Sequence, residues 1–295
     1  MVEGLSLDEA FLDVSGSLKL FGSQLEIGRK IKERIQAETG LTASVGLAHN
    51  KFLAKLASDI RKPDGLVFVD PDKVRAFLDP MPISRLWGIG SKTAPRLKAL
   101  GILTVGQLRR TDISTLQPVL GNRSEHFLRL CRGEDDREVK PDRPDKSISH
   151  EITFDENVSD RDVLLAELQK QSEDVSMRLR ARGLMASTVI VKIRDPGFHT
   201  VTRSRSMPAC SNSTKTLYRM ARALFESWRE AHKTTPVRLL GMGVSGIEES
   251  KPSGHHAGDL ADSRSEQALD RVFDTINRRW GGVKIVHGQT LKKKQ

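Results

Sequence analysis

Apolar residues in the first eighty positions follow two alternating periods. Residues 5–14 are apolar except where the adjacent carboxylates Asp8 and Glu9 interrupt them. Ser15-Gly16-Ser17 closes this run, which predicts a strand ending in a turn. Residues 24–38 carry Ile27, Ile31 and Ile35 every fourth position with polar residues between, an amphipathic helix that Gly40 stops. Residues 41–48 are nearly uncharged and read as a short strand. Asn50 then caps a helix whose apolar face is Phe52, Leu53, Leu56 and Ile60. Lys62-Pro63-Asp64-Gly65 is a turn and residues 66–69 a buried strand, so this part predicts a layered α/β unit.

Three prolines, Pro71, Pro80 and Pro82, mark a boundary near residue 80. From there to about Gly133 the pattern is helical, with short loops punctuated by glycine. Residues 133–146, with Glu134-Asp135-Asp136-Arg137, Pro141 and Pro144, have no period and read as a linker. Residues 147–247 predict the order β-α-β-β-α-β of a split-βαβ sandwich: strands at 147–154, 185–194, 198–207 and 236–247, and helices at 161–182 and 214–232. Ser159-Asp160-Arg161-Asp162 resembles a capping box at the first of these helices, and Asp195-Pro196-Gly197 is a turn. Residues 248–263 read as a polar tether, and 266–280 as a last amphipathic helix. No internal repeat is visible.

Composition narrows the class. Hydrophobic residues at 37% are enough for packed cores, and aromatics at 5% mean that Leu, Ile, Val and Ala build them. No apolar run reaches the ~20 residues of a membrane span, and the first residues lack the layout of a secretory signal. Cys131 and Cys210 alone make neither a disulfide scaffold nor a structural zinc site. The chain reads as soluble and cytoplasmic. Its net charge of +10 is unevenly spread: −1 over residues 1–79, +5 over 80–146, +4 over 147–247 and +2 beyond. That asymmetry fits either a polyanion lying against the later segments or a general surface bias.

Four constellations carry candidate chemistry. Leu86-Trp87-Gly88-Ile89-Gly90 followed by a helical run over 93–100 has the form of a helix-hairpin-helix. Its glycines would let the backbone approach a phosphate, with Lys92, Arg96 and Lys98 adding charge. An ordinary helix–helix connection is the alternative. Arg203 and Arg205 fall on one face of a strand and Thr202, Ser204 and Ser206 on the other, so the arginines could meet successive phosphates or simply be solvated. Asp8 and Glu9 would face opposite ways in a regular strand, so acting together on a divalent cation requires a turn or bulge; an acidic surface turn is the plainer reading. Lys51, Lys55, Arg61 and Lys62 follow the third apolar segment, with Lys51 and Lys55 four apart on one helix face; they could hold a triphosphate or line a solvated face.

Taken together, these segments resemble the Y-family translesion DNA polymerases, in the group of bacterial DNA polymerase IV. Ser6-Leu7-Asp8-Glu9-Ala10-Phe11-Leu12-Asp13 is similar to the family's catalytic carboxylate motif. Ser44-Val45-Gly46-Leu47-Ala48, residues 50–59 and Lys62-Pro63-Asp64-Gly65 are similar to its next palm block. Residues 86–101 resemble its thumb, and Lys146-Ser147-Ile148-Ser149, Thr202-Arg203-Ser204-Arg205 and Val237-Arg238-Leu239-Leu240-Gly241 its little finger. The resemblance implies an α/β (α+β) chain divided into a partial palm at 1–79, a helical thumb at 80–139, a linker at 140–146, a little finger at 147–247 and a tether with a C-terminal helix at 248–295. It implies a DNA-directed DNA polymerase acting on primer–template DNA and deoxynucleoside triphosphates with two Mg²⁺ ions. Asp8 and Glu9 would be its metal-binding catalytic carboxylates and Lys62 its triphosphate contact. Gly88, Gly90 and Lys92 would meet the DNA strand, and Arg203 and Arg205 the template backbone.

Two departures accompany the resemblance. The family places a first palm strand with another metal-binding Asp, and the fingers, ahead of the motif with which this chain opens. The chain therefore reads as N-terminally truncated, and a DNA-binding remnant without turnover is the alternative function. The family also commonly carries a sliding-clamp motif of Gln-x-x-Leu-Phe type, and His256-Ala257-Gly258-Asp259-Leu260-Ala261 matches it poorly.

Overall fold

The computed structural model describes residues 1–141, 144–250 and 260–279. They fall into two compact units, Met1–Arg143 and Pro144–Gln295.

The first unit opens with a hairpin, β1 (Val2–Gly4) against β2 (Ala10–Leu12) in antiparallel register, with Glu3 opposite Phe11. The single strand expected over 5–14 is therefore a loop at 5–9 plus a short strand. The carboxylate pair breaks the apolar run because it belongs to that loop. A short helix α1 (Leu18–Phe21) leads to α2 (Gln24–Thr39). At its start Ser23 and Glu26 form a reciprocal capping box, and Gly40 ends it in the left-handed region. β3 (Val45–Leu47) pairs in parallel with β4 (Leu66–Phe68) across the crossover helix α3 (Lys51–Ile60). Asn50 caps α3 by accepting the N–H of Leu53 at 3.0 Å, as its side chain predicts. Phe52, Leu53, Leu56 and Ala57 are buried, but Ile60 is 46% exposed, because only the first turns of α3 lie over the core.

Helices α4 (Val74–Leu78), α5 (Thr93–Ala99), α6 (Val105–Arg110), α7 (Ile113–Leu120) and α8 (Ser124–Cys131) follow. One apolar core runs from Phe52 to Cys131, with Leu78, Ile83, Leu97, Leu108, Leu116 and Phe127 almost fully enclosed. The proline-rich stretch near residue 80 thus lies within one compact unit. Residues 133–140, read as linker, are strapped onto this unit. Asn50 Nδ2 donates to the Gly133 carbonyl at 2.7 Å, and Asp135 accepts the N–H of Phe52 at 3.0 Å, capping α3 a second time. Lys51 Nζ donates to the Glu138 carbonyl at 3.2 Å, and the Lys140 N–H donates to Glu3 at 2.9 Å.

The second unit is one antiparallel sheet of β5 (Ser147–Val158), β6 (Leu184–Arg194), β7 (Thr200–Ser211) and β8 (Val237–Glu249), in the order β5-β8-β6-β7. Helices α9 (Arg161–Ala181) and α10 (Thr214–Ala231) cover one face and bury Leu164, Leu168, Val175 and Leu179 with Leu217, Ala221, Phe225 and Trp228. This is the β-α-β-β-α-β order expected, because each element carries a clean period of its own. At the start of α9 Asp160 caps alone, accepting the N–H groups of Asp162 and Val163 at 2.8 and 3.0 Å. The face without helices carries two glycines in β8. Gly241 and Gly243 lie opposite Glu151 and Ser149, where a Cβ would come within 2.8 Å of the neighbouring Cβ atoms.

A final helix, α11 (Leu260–Arg279), docks on this unit. Arg180 reaches Asp274 at 2.6 and 2.8 Å, and Asp270 accepts the N–H of Thr214 at 3.1 Å. Within the tether, residues 251–259 lie outside the described residues; so does most of the 256–261 stretch weighed against the clamp motif, of which Leu260 and Ala261 open α11. Among the described residues no helix is long and apolar enough to cross a membrane.

Candidate functional site

The β1–β2 loop delivers the turn that Asp8 and Glu9 require. The N–H groups of Leu5 and Ser6 both donate to the Glu9 carbonyl, at 2.8 and 3.2 Å, and fold the loop back on itself. The Asp8 carboxylate is exposed and accepts the Ser6 hydroxyl at 2.6 Å. That bond, with the residue's own N–H and the charges of Lys62 and Lys55, holds Asp8 below the usual carboxylate range.

Glu9 faces the C-terminal half of α3 and the turn after it. Its Oε1 accepts Lys55 Nζ at 3.0 Å and lies 3.8 Å from Lys62 Nζ. Asp59 holds the same two lysines, at 2.8 Å from Lys55 and 2.7 Å from Lys62. Glu9, Lys55, Asp59 and Lys62 therefore form a chain of alternating charge beside Asp8. Burial works to lower the Lys55 pKa, but the hydrogen bonds to Asp59 and Glu9 outweigh it and raise it above the ordinary lysine value. Burial works to raise Asp59, and its two lysines outweigh that and lower it. The turn carrying Lys62 is anchored by Lys32, which donates to the carbonyls of Ala43 and Asp64, each at 2.7 Å, and pairs with the Asp64 carboxylate.

Sequence reasoning named Asp8, Glu9 and Lys62 from separate motifs, and the structure brings them together. Lys51 and Lys55 part company: Lys55 joins this cluster, whereas Lys51 is 5% exposed and pairs with Glu3 at 2.5 Å beneath the Phe11 ring. Lys51 thus neither lines a solvated face nor opens to a triphosphate. Asp59 was missed, although its place four residues after Lys55 and three before Lys62 was a usable signal.

Carboxylate oxygens are the ligands a hard divalent cation takes, and such a cation is commonly held by one or two carboxylates together with substrate phosphates and water. Asp8 and Glu9 fit that donor set. Among the described residues no three Asp, Glu, His or Cys side chains converge as a ready-made metal cage.

The Gly88–Gly90 turn belongs to the same unit, with the Trp87 ring 6.5 Å from that of Phe11 in β2. A single 3₁₀ turn at Ile83–Arg85 precedes it in place of a full helix, and α5 follows. Leu86 and Ile89 are buried and pin the turn, while Trp87, Gly88, Gly90 and Lys92 are exposed. Gly88 has φ +96°, a left-handed conformation open to glycine without strain.

On the second unit Arg203 and Arg205 lie exposed on the edge strand β7, opposite Val191 and Val189. Those valines are fully buried beneath the helices. The two arginines therefore share one face, as alternation predicts, and that face is the helix-bearing one at its outer edge. Thr202, Ser204 and Ser206 share the other with Lys192, Ile190 and Thr188.

Comparison with known proteins follows the same division. Residues 1–59 match the impB/mucB/samB family, 71–102 the IMS family HHH motif, and 145–260 the impB/mucB/samB family C-terminal domain. The chain is 43% identical over 249 residues to a DNA polymerase IV of Methanoculleus marisnigri, covering 84% of this chain and 68% of that protein. It is 38% identical over 283 residues to a DNA polymerase IV of Desulfatibacillum aliphaticivorans, covering 95% and 71%. Among solved structures it superposes on a Y-family DNA polymerase chimera of Dbh and Dpo4 with a TM-score of 0.75 at 27% identity, covering 83% of this chain and 71% of that one. An insertion ternary complex of Dbh DNA polymerase gives 0.55 at 26% identity, covering 83% and 71%. With the carboxylate loop, the hairpin turn and the four-stranded unit in family order, this chain belongs to the Y family of DNA polymerases, the translesion enzymes, in the DNA polymerase IV group.

Proposed function

We propose that Asp8 and Glu9 are the carboxylates with which this polymerase holds two Mg²⁺ ions at the primer end, and that Lys62 receives the triphosphate of the incoming deoxynucleotide. When bound, the ions lower the pKa of the attacking hydroxyl and neutralise the leaving pyrophosphate. The observation that carries this reading is the convergence of Glu9 from the β1–β2 loop with Lys55, Asp59 and Lys62 of α3 and the turn after it. Lys62 is half exposed and held by carboxylates alone, so a triphosphate can replace Asp59 as its partner at little desolvation cost. Lys55 donates to one Glu9 oxygen at 3.0 Å and so fixes the position of that carboxylate. The backbone of Gly88 and Gly90 and the side chain of Lys92 meet primer–template DNA from the first unit. Arg203 and Arg205 meet template phosphates from the second. A sliding clamp enters this reading by family likeness alone, since residues 256–261 match its usual motif poorly.

Primer extension on a labelled hairpin tests it. Mg²⁺-dependent incorporation that disappears in Asp8→Ala, and a raised nucleotide KM in Lys62→Ala, are the expected results. Incorporation that survives Asp8→Ala overturns the assignment. Tight DNA binding without incorporation by the unaltered chain favours the remnant that binds without turnover.

A further inference from the structure

Half of the described arginines on the first unit pair with a carboxylate. Arg109 pairs with Asp79, Arg129 with Glu134 and Asp136, and Arg137 with Asp135. Arg123, the residue before α8, belongs to the other half: among the described residues no carboxylate pairs with it, and its place against the Gly88 turn sets it apart. Its guanidinium lies 4.7 Å over the Phe127 ring and donates to the Gly88 carbonyl at 3.3 Å. The missing side chain at Gly88 allows this approach, since a Cβ there would stand 2.7 Å from Arg123 Nη2. An uncompensated cation is thus placed against the very turn that meets DNA in the reading above.

Other groups converge on the same spot. Trp87, Gly88, Arg123, His126, Leu130 and Arg137 line an open depression of about 170 Å³. His126 lies one helical turn after Arg123. Burial first, then the charges of Arg137, Arg123 and Arg129, push its pKa down, against only Asp135. That carboxylate is itself committed, to Arg137 at 2.6 and 2.9 Å and to the Phe52 N–H. Arg137 in turn lies 4.9 Å over Trp87, so that indole face is covered and offers no platform for a base. The depression is smaller than the roughly 300 Å³ at which small-molecule pockets begin. It has the size and charge for one phosphate group, and arginine is the side chain whose planar fork fits phosphate oxygens.

We propose that Arg123 and His126, with the Trp87–Gly88 turn, form a site for a single phosphate group, and that a backbone phosphate of bound nucleic acid fills it. The proposal rests on the reading that the Gly88–Gly90 turn meets DNA, and the test separates the two. Arg123 makes no cap bond at the start of α8, so Arg123→Ala leaves that helix start intact. Binding of a labelled hairpin primer–template is measured over a series of salt concentrations for the unaltered chain, Arg123→Ala, Arg123→Lys and Lys92→Ala. Loss of one charge-assisted contact is expected to weaken Arg123→Ala about tenfold and to lower the salt slope by about 0.9. Arg123→Lys keeps the slope but recovers only part of the affinity, because an ammonium lacks the fork. If Lys92→Ala weakens binding and Arg123→Ala does not, the site is overturned while the turn reading stands. If neither variant changes binding, both fall. Inorganic phosphate, followed through Trp87 emission with Trp87→Phe as the blank, is the second arm. Phosphate that shifts the emission while Arg123→Ala binds DNA normally assigns the site to free phosphate and overturns the nucleic-acid occupant.

Discussion

Replacing Glu3 by alanine removes the partner of Lys51, the most deeply buried cation among the described residues of the first unit. Glu3 is 1% exposed and Lys51 5%, with 2.5 Å between Oε2 and Nζ. The same carboxylate accepts the Lys140 N–H, so the change also unfastens the strap that follows α8. Lys51 keeps the Glu138 carbonyl and the Phe11 ring, which soften the loss without cancelling the charge. Breaking a buried pair by removing one member costs roughly 3–5 kcal/mol, because the survivor stays desolvated. At about 3 °C per kcal/mol for a domain near 150 residues, that is roughly 9–15 °C in the melting temperature of this unit. The assay is thermal and urea unfolding of Glu3→Ala, Lys51→Met and the double variant Glu3→Met with Lys51→Met. The double variant is expected to recover most of the loss, since an apolar pair of similar volume needs no charge compensation. A cost below about 1 kcal/mol for Glu3→Ala, or a double variant no more stable than the singles, refutes the reasoning.

Three further outcomes are expected. Amide hydrogen exchange is slowest in β6 and β8, each hydrogen-bonded on both sides, and fastest in the three-residue strands β1 and β2; equal protection in both units contradicts this. Cys131 is 1% exposed and burial pushes its thiol up to about 12, so an alkylating reagent at pH 8 labels it only after unfolding, and Cys210 reacts first. Lys55 and Lys62 hold Asp59, Arg109 holds Asp79 and Arg137 holds Asp135 below the ordinary carboxylate value, so each stabilises the fold above about pH 4 and loses that contribution as pH falls further. Urea midpoints that drop between pH 5 and pH 3, less steeply in Asp79→Asn, check the sign.

How far the chain could be read in advance depended on whether a feature was local. The capped helices α2 and α3, the alternation of Arg203 with Ser204 and the whole β-α-β-β-α-β unit were legible, because periods of 3.6 and 2 and cap chemistry act within a few residues. The carboxylate motif and the glycine turn were legible as short patterns. Other decisions belonged to the tertiary structure. Nothing around Lys51 says that it is buried while Lys55 reaches the site; the difference is made by Glu3, 48 residues away. The acidic and basic run at 133–140 has no period, and it becomes a strap only because Asn50, Phe52, Lys51 and Glu3 wait for it across the fold. Ile60 continues an apolar stripe and still faces solvent, since the core ends before α3 does. Alternation put Arg203 and Arg205 on one side of β7, yet pairing with β6 chose which side. Local pattern encodes the element and its faces; which face is covered, and which charge finds a partner, is set by contacts between residues whose separation along the chain carries no information about their distance in space.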